Sequence, residues 1–339
     1  LLPWSSLRWA GFLLGALAGS VLGIRRAHVE AAMRRAGLVQ VPALARAMYA
    51  SLGTAVFEFL WIAGRRTAPL GAIFLSERTR VALREHGRTL GASQVPGAAR
   101  RSVMPTRGMV IATAHTGNWD FVACALAREH VHLSVVTKRL SLSWLDRFWQ
   151  ERRSSFDVEI IHGEGAFGRA VDAIERGRVV GVMIDQVPDR RSAIARVDFL
   201  GAPAHGDTMA ALLAARTGAP LVLALGRRMR DGRHAIDLPL RLDPPPRPSR
   251  RWIDDATRAL NAALEVFVRE EPAQWLWLHR RWKEVPLGRH ETRGAAGLDG
   301  DRAPTAMMPR VHENSSAAHV VQVLGGARGV LASDSASRD

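Results

Sequence analysis

Met109-Val-Ile-Ala-Thr-Ala-His-Thr-Gly-Asn-Trp-Asp120 decides how this chain is read. Its first six residues form a short apolar run of the kind that makes a buried strand. Gly117 supplies a bend, and Thr116 or Asn118 can cap a helix that starts behind it. Residues five apart on one helix diverge by roughly 140°. His115 and Asp120 can therefore meet only if the imidazole lies in the turn and the carboxylate in the first helical turn. A carboxylate beside a neutral imidazole fixes its tautomer and supports the protonated form, as a general base needs when it deprotonates an alcohol. No serine or cysteine nucleophile accompanies the pair, so direct attack by a substrate hydroxyl is the simplest chemistry. The plain alternative is a strand-end histidine that only hydrogen-bonds its turn.

Outward from this segment the pattern alternates. Strands are expected at 109–114, 131–136, 157–161, 179–184, 197–200, 219–225 and 234–240. Helices are expected at 118–129, 142–154, 166–176, 207–217 and 250–271. Such alternation predicts an α/β fold, a mixed central sheet flanked by helices. Upstream, 26–36 and 41–63 carry apolar residues at helical spacing, with Met48, Leu52, Val56, Phe59 and Leu60 on one face. A further helix is expected near 79–90. The expected division is a membrane anchor helix over 1–25, a helical part over 26–107, an α/β core over 108–285 and a disordered tail over 286–339.

Further blocks follow in order: Val179-Val-Gly-Val-Met-Ile-Asp185-Gln186, Val197-Asp-Phe-Leu-Gly201-Ala-Pro203, Thr217-Gly-Ala-Pro220, and Pro272-Ala-Gln-Trp-Leu-Trp-Leu-His279-Arg280-Arg281-Trp282-Lys283. With His115-x4-Asp120, these resemble the bacterial lipid A biosynthesis acyltransferases of the lysophospholipid acyltransferase superfamily, over roughly residues 20–284. Some members of that branch carry Glu at the position of Asp120 and Tyr-Arg-Pro where this chain has Thr137-Lys138-Arg139. The resemblance implies transfer of a fatty acyl chain from acyl-carrier protein or acyl-coenzyme A to a hydroxyl of a lipid A precursor or related glycolipid, with no cofactor and no metal. It implies His115 as base and Asp120 as its supporting acid. Asn118, Lys138 or Arg139, Asp185, Gln186, Arg190, Arg191, Arg196 and Gly201 are the substrate-binding candidates. Trp275 and Trp277 fit core packing first and an interfacial belt second.

The 339 residues carry 47 Lys and Arg against 32 Asp and Glu, a net charge of +15. That surplus favours a polyanionic partner: an acidic carrier protein, an anionic membrane or a phosphorylated lipid. No standard nucleic-acid-binding signature is visible, and nucleic acid is not expected as a partner. The lone Cys124 excludes an intrachain disulfide and fits a reducing compartment.

Trp9–Ile24 is uncharged and approaches, with the residues before it, the roughly 20 needed to cross a bilayer. Arg25 and Arg26 follow, placing the downstream chain on the cytoplasmic face of the inner membrane by the positive-inside rule. A single N-terminal anchor is expected, with a helix packed on the domain as the alternative.

Three other function classes compete. Gly163-x-Gly165-x-x-Gly168, followed by Asp185, matches the form of a dinucleotide-binding turn in an oxidoreductase. A metal hydrolase needs more ligands than His115 and Asp120, and His162, His205 and His279 would have to converge in space. A membrane-binding scaffold without catalysis would use the anchor, the basic surplus and the aromatic end segment equally well.

Overall fold

Met109–Thr113 (β1) forms the axis on which the rest of the fold is ordered. It pairs in parallel with Val179–Met183 (β4) on one side and with Leu221–Arg228 (β7) on the other. Beyond β4 lie Leu133–Val136 (β2) and Glu159–Ile161 (β3), both parallel; beyond β7 lies His234–Leu242 (β8), antiparallel. The order β3-β2-β4-β1-β7-β8 is that of a mixed six-stranded sheet. The computed structural model describes residues 3–64, 108–128, 131–140, 142–188 and 194–283.

Burial on both faces accounts for the continuous apolar runs of the central strands, in which Val110, Ala112, Val180, Leu221 and Leu223 have no exposed surface. Helices cover the faces: Trp119–Arg128 (α4), Ser143–Ser154 (α5), Ala166–Glu175 (α6), Met209–Thr217 (α7) and Arg250–Glu270 (α8). Ser249 caps α8 by accepting from Trp252 N.

These elements match the expected alternation with one difference. Ile194–Phe199 (β5) and Ala202–Asp207 (β6) form a separate antiparallel hairpin, and α7 starts only at Met209. Ala202-Pro-Ala-His-Gly-Asp207 contains no β-branched residue, so it becomes a strand through pairing with β5, not through its own propensity.

The amino-terminal part is helical: Leu7–Ala16 (α1) runs into a π-helical turn at Leu17–Val21, followed by Arg26–Arg35 (α2) and Val41–Ala63 (α3). Gly23 and Arg25, both at positive φ, end the first helix. Within the expected anchor over 1–25 the helical run covers Trp4–Val21. No single helix among the described residues is long and apolar enough to cross a membrane, and Trp4–Val21 and Arg26–Arg35 meet at a 91° bend. Gly11, Gly15 and Gly19 face α3. A Cβ on Gly15 would fall 2.4 Å from Tyr49 O, and one on Gly11 2.3 Å from Thr54 N, so backbone-close packing requires glycine at both. The opposite face leaves Trp9, Leu13, Val21 and Leu22 exposed. The expected helix near 79–90 and the tail over 286–339 lie outside the described residues.

Candidate active site

The pairing register builds the site. Met109 stands opposite Val179, and the offset holds through Thr113 opposite Met183. Two residues on, the carboxyl ends of β1 and β4 deliver His115 and Asp185 side by side, the end of a parallel sheet at which open α/β folds place ligands. His115 Nδ1 lies 2.9 Å from Asp185 Oδ1, and His115 N donates to Asp185 Oδ2 at 2.9 Å. Trp275 Nε1 adds a third donor at 3.1 Å. Asp185 is wholly buried. Burial pushes its carboxyl up, but the charge and hydrogen bonds of His115, with His279 behind, outweigh it and hold the group well below the usual carboxylate range. In the neutral imidazole, an ionised Asp185 accepts the Nδ1 proton and the lone pair is left on Nε2. No hydrogen bond engages Nε2 among the described residues, and the His115 side chain is 14% exposed.

The turn carrying His115 is clamped by the closing segment. Gly117 N donates to Gln274 O at 2.8 Å, Leu276 N donates to His115 O at 3.0 Å, and Thr116 bridges Trp275. Gly117 has φ +56°, and a Cβ there would meet Gly226 O at 2.6 Å, which explains the glycine. Asn118 is buried; its Oδ1 accepts from Phe121 N at 3.0 Å and caps α4, while its amide donates to Glu58 and to Ala55 O. It holds the turn from within.

Asp120 points elsewhere. Its carboxylate takes Arg153 Nε at 2.7 Å and Trp149 Nε1 at 2.9 Å, and no hydrogen bond joins it to His115 among the described residues. It lies at the second helical position of α4 and fastens α5 to α4. The pairing expected from the five-residue spacing is made instead by Asp185, which sequence reasoning had placed only among the binding candidates.

His279 completes the group. Its ring centroid is 4.7 Å from that of His115, and Gln186 Nε2 stands 3.3 Å from its Nε2. Burial first, then the charge of His115, pushes the His279 imidazole down to about 4 against the pull of Asp185. Trp119 packs edge-on against His115 at 4.8 Å. The ligand atoms of His115, Asp185 and His279 lie within 4.8 Å of one another, so a metal ion is geometrically admissible. Asp185 and His115 Nδ1 already satisfy each other, however, which makes a hydrogen-bonded dyad the better description of this donor set.

A histidine held low in the folded state favours proton uptake by the unfolded chain. Stability should thus fall as pH drops from 6.5 through about 4, by on the order of 3 kcal/mol from this group. Thermal melts of His279→Gln should show a shallower decline over that window than the native protein. An unchanged slope would assign the acid sensitivity to other groups.

Of the cationic candidates, Lys138 is within electrostatic reach of His279 and Asp207. Arg139 turns to His162, at 3.1 Å, and lines a cavity of about 520 Å³ with Leu140, Asp146, Arg147 and Gln150; His115 is not among its lining residues. Arg196 is exposed on β5 and Gly201 lies in the β5–β6 turn; neither hydrogen-bonds His115 or Asp185 among the described residues. Arg190 and Arg191 lie outside the described residues. Trp275 and Trp277 are both core, 1% exposed, and Trp275 serves the site as well. The Gly163–Gly168 turn follows edge strand β3 and is bound by Arg169, which donates to Glu164 O and His162 O. Asp185, the acid a dinucleotide site would use, is spent on His115.

The chain is similar to several known acyltransferases. The chain is 30% identical over 119 residues to a phosphatidylinositol mannoside acyltransferase of Mycobacterium tuberculosis, 34% of this chain and 37% of that protein. It is 32% identical over 154 residues to the lipid A biosynthesis lauroyltransferase of Escherichia coli K12, 43% and 46% of the respective lengths. A phosphatidylinositol mannoside acyltransferase of Mycolicibacterium smegmatis is 27% identical over 180 residues, 52% and 57%. The chain thus spans between about a third and somewhat over half the length of these relatives. The model of the bacterial lipid A biosynthesis acyltransferases matches residues 40–284, from α3 through the whole sheet to the segment that closes on His115, and the chain belongs to that family.

Proposed function

We propose that this protein transfers a fatty acyl chain from a thioester donor, acyl-carrier protein or acyl-coenzyme A, to a hydroxyl of a lipid A precursor or a related glycolipid at a membrane surface. The observation that carries this reading is the His115–Asp185 hydrogen bond at 2.9 Å, which leaves Nε2 free to accept a proton. Nε2 takes the proton of the acceptor hydroxyl as its oxygen attacks the thioester carbonyl. The carbon–sulfur bond then breaks, and the departing thiolate takes the proton back from the imidazolium. Asp185 steadies the positive ring in between, and no covalent enzyme intermediate forms. Lys138, close enough to act on His279, is the candidate to stabilise the tetrahedral oxygen or a head-group phosphate. The positive N-terminal end of α4 adds to that field.

Membrane contact falls to the outward face of α1 and the π-helical turn that follows it. Trp9, Phe12, Leu13, Leu17, Val21 and Leu22 are exposed along this stretch, and Arg8, Arg25 and Arg26 flank them. With the glycine face fixed on α3, the helix is suited to lying in the interface plane. The net charge of +15 would draw either an acidic carrier protein or an anionic membrane.

Purified protein given an acyl thioester and total lipids of the host should yield one lipid heavier by one acyl group. Mass spectrometry of cells lacking the gene should show that same lipid lighter by one. An unchanged lipid profile in both experiments would overturn the proposal.

A further inference from the structure

The turn that presents His115 is tied to a carboxylate belonging to the amino-terminal helices, not to the sheet. Glu58 lies on α3 and is 2% exposed. It accepts from Asn118 Nδ2, Arg228 Nε and Arg228 Nη2, each at 2.8 Å. His234 Nε2 stands 3.4 Å away. Burial pushes this carboxyl up, yet the charge and hydrogen bonds of Arg228, with His234 beside it, prevail and hold it well below the usual carboxylate range. Glu58 is a carboxylate on a helix that otherwise buries Met48, Phe59 and Ile62. Buried ion pairs of this kind often contribute little net stability.

Two routes lead from Glu58 to the turn. Directly, it fixes the amide of Asn118, whose Oδ1 caps α4. Indirectly, it fixes Arg228, whose backbone is bracketed by Gln274: Arg228 N donates to Oε1 at 2.7 Å and Arg228 O accepts from Nε2 at 3.0 Å. The carbonyl of that same Gln274 holds Gly117 N. Arg228 also donates to Ser51, one helical face along α3. Residues 115–118 are thus gripped from both sides by one network rooted in α3.

We propose that Glu58 is a positioning residue for His115: it sets the orientation of the 115–118 turn and couples that turn to the α1–α3 pair. This rests on the acyl-transfer reading above. The reacting nitrogen moves with the turn, and a misplacement of about 1 Å at a reacting group can lower turnover roughly a hundredfold.

Glu58→Asp keeps the charge but withdraws the carboxylate by one methylene from Asn118, and Glu58→Gln with Arg228→Gln removes both buried charges together, so that neither is left unpaired. Each is compared with the native protein for kcat, for donor KM and for hydrogen exchange in peptides spanning 113–122 and, as a remote reference, 166–183. We expect kcat to fall about 10- to 100-fold with donor KM changed less than about twofold. Exchange should quicken in 113–122 and stay unchanged in 166–183. Asn118→Ala should lower kcat by about tenfold alone but by less than about twofold when added to Glu58→Asp, because both act through one turn. Native kcat in either Glu58 variant, or losses that simply multiply, would overturn the proposal. Exchange needs no substrate: if no acyl transfer is found and that reading falls, unaltered protection of 113–122 would still refute the positioning role independently.

Discussion

Replacing His115 with alanine is expected to lower acyl transfer by at least about a hundredfold, the lower bound for a lost general base. The fold should survive. The side chain is only partly buried, and its one strong contact is the bond from Nδ1 to Asp185. Asp185 keeps the donors His115 N and Trp275 Nε1 in the variant, so its charge is not left bare. Losing one charge-assisted hydrogen bond costs about 1.5–3 kcal/mol, a few degrees of melting temperature for a unit of this size. Single-turnover transfer from an acyl thioester, with melting followed in parallel, separates the two effects. Near-native turnover would end the general-base mechanism.

Local pattern made most of the elements legible. An apolar run followed by Gly117 and Asn118 gives the β1–turn–α4 unit because each feature acts within a few residues. The order of the strands has no such local signature. His115 and Asp185 are neighbours because β4 lies beside β1 with a fixed offset of seventy residues, a fact of register and not of motif. Asp120 was the attractive partner because it is close in sequence and completes the His-x4-Asp pattern of the family resembled. Once Asn118 caps α4, the first turn of the helix carries Asp120 toward Trp149 and Arg153, some thirty residues away. Glu58 left a trace, an acid in the middle of an apolar helix, but its partners lie 60 and 170 residues downstream. Gly11, Gly15 and Gly19, legible in the sequence only as part of an apolar stretch, form the face on which the first helix and its π-helical turn pack against α3. His279 stood in the closing segment as one residue of a block, and its place beside His115 follows from the bridge between Thr116 and Trp275.

Two asparagine substitutions, at Asp185 and at Asp120, distinguish which carboxylate serves the imidazole. Asp185→Asn is isosteric and keeps the acceptor that His115 N and Trp275 Nε1 require. If its amide nitrogen turns toward His115, Nδ1 must become the acceptor and the ring proton moves to Nε2, which can then no longer take a proton from the substrate. The corresponding change in serine hydrolases lowers kcat by about 10⁴-fold, and a loss on the order of 10³- to 10⁴-fold is expected here with donor KM little altered. Asp120→Asn breaks a mostly buried ion pair with Arg153 instead. Its expected signature is instability, about 3–5 kcal/mol for an orphaned buried charge, with turnover per folded molecule at low temperature within about tenfold of native, since no contact with the imidazole is lost. Measured at a temperature where both variants are folded, Asp120→Asn should therefore outpace Asp185→Asn by about a hundredfold or more. The reverse order would return the catalytic acid to Asp120. It would also require the α4–α5 contact through Arg153 to open during turnover, freeing that carboxylate to reach the imidazole.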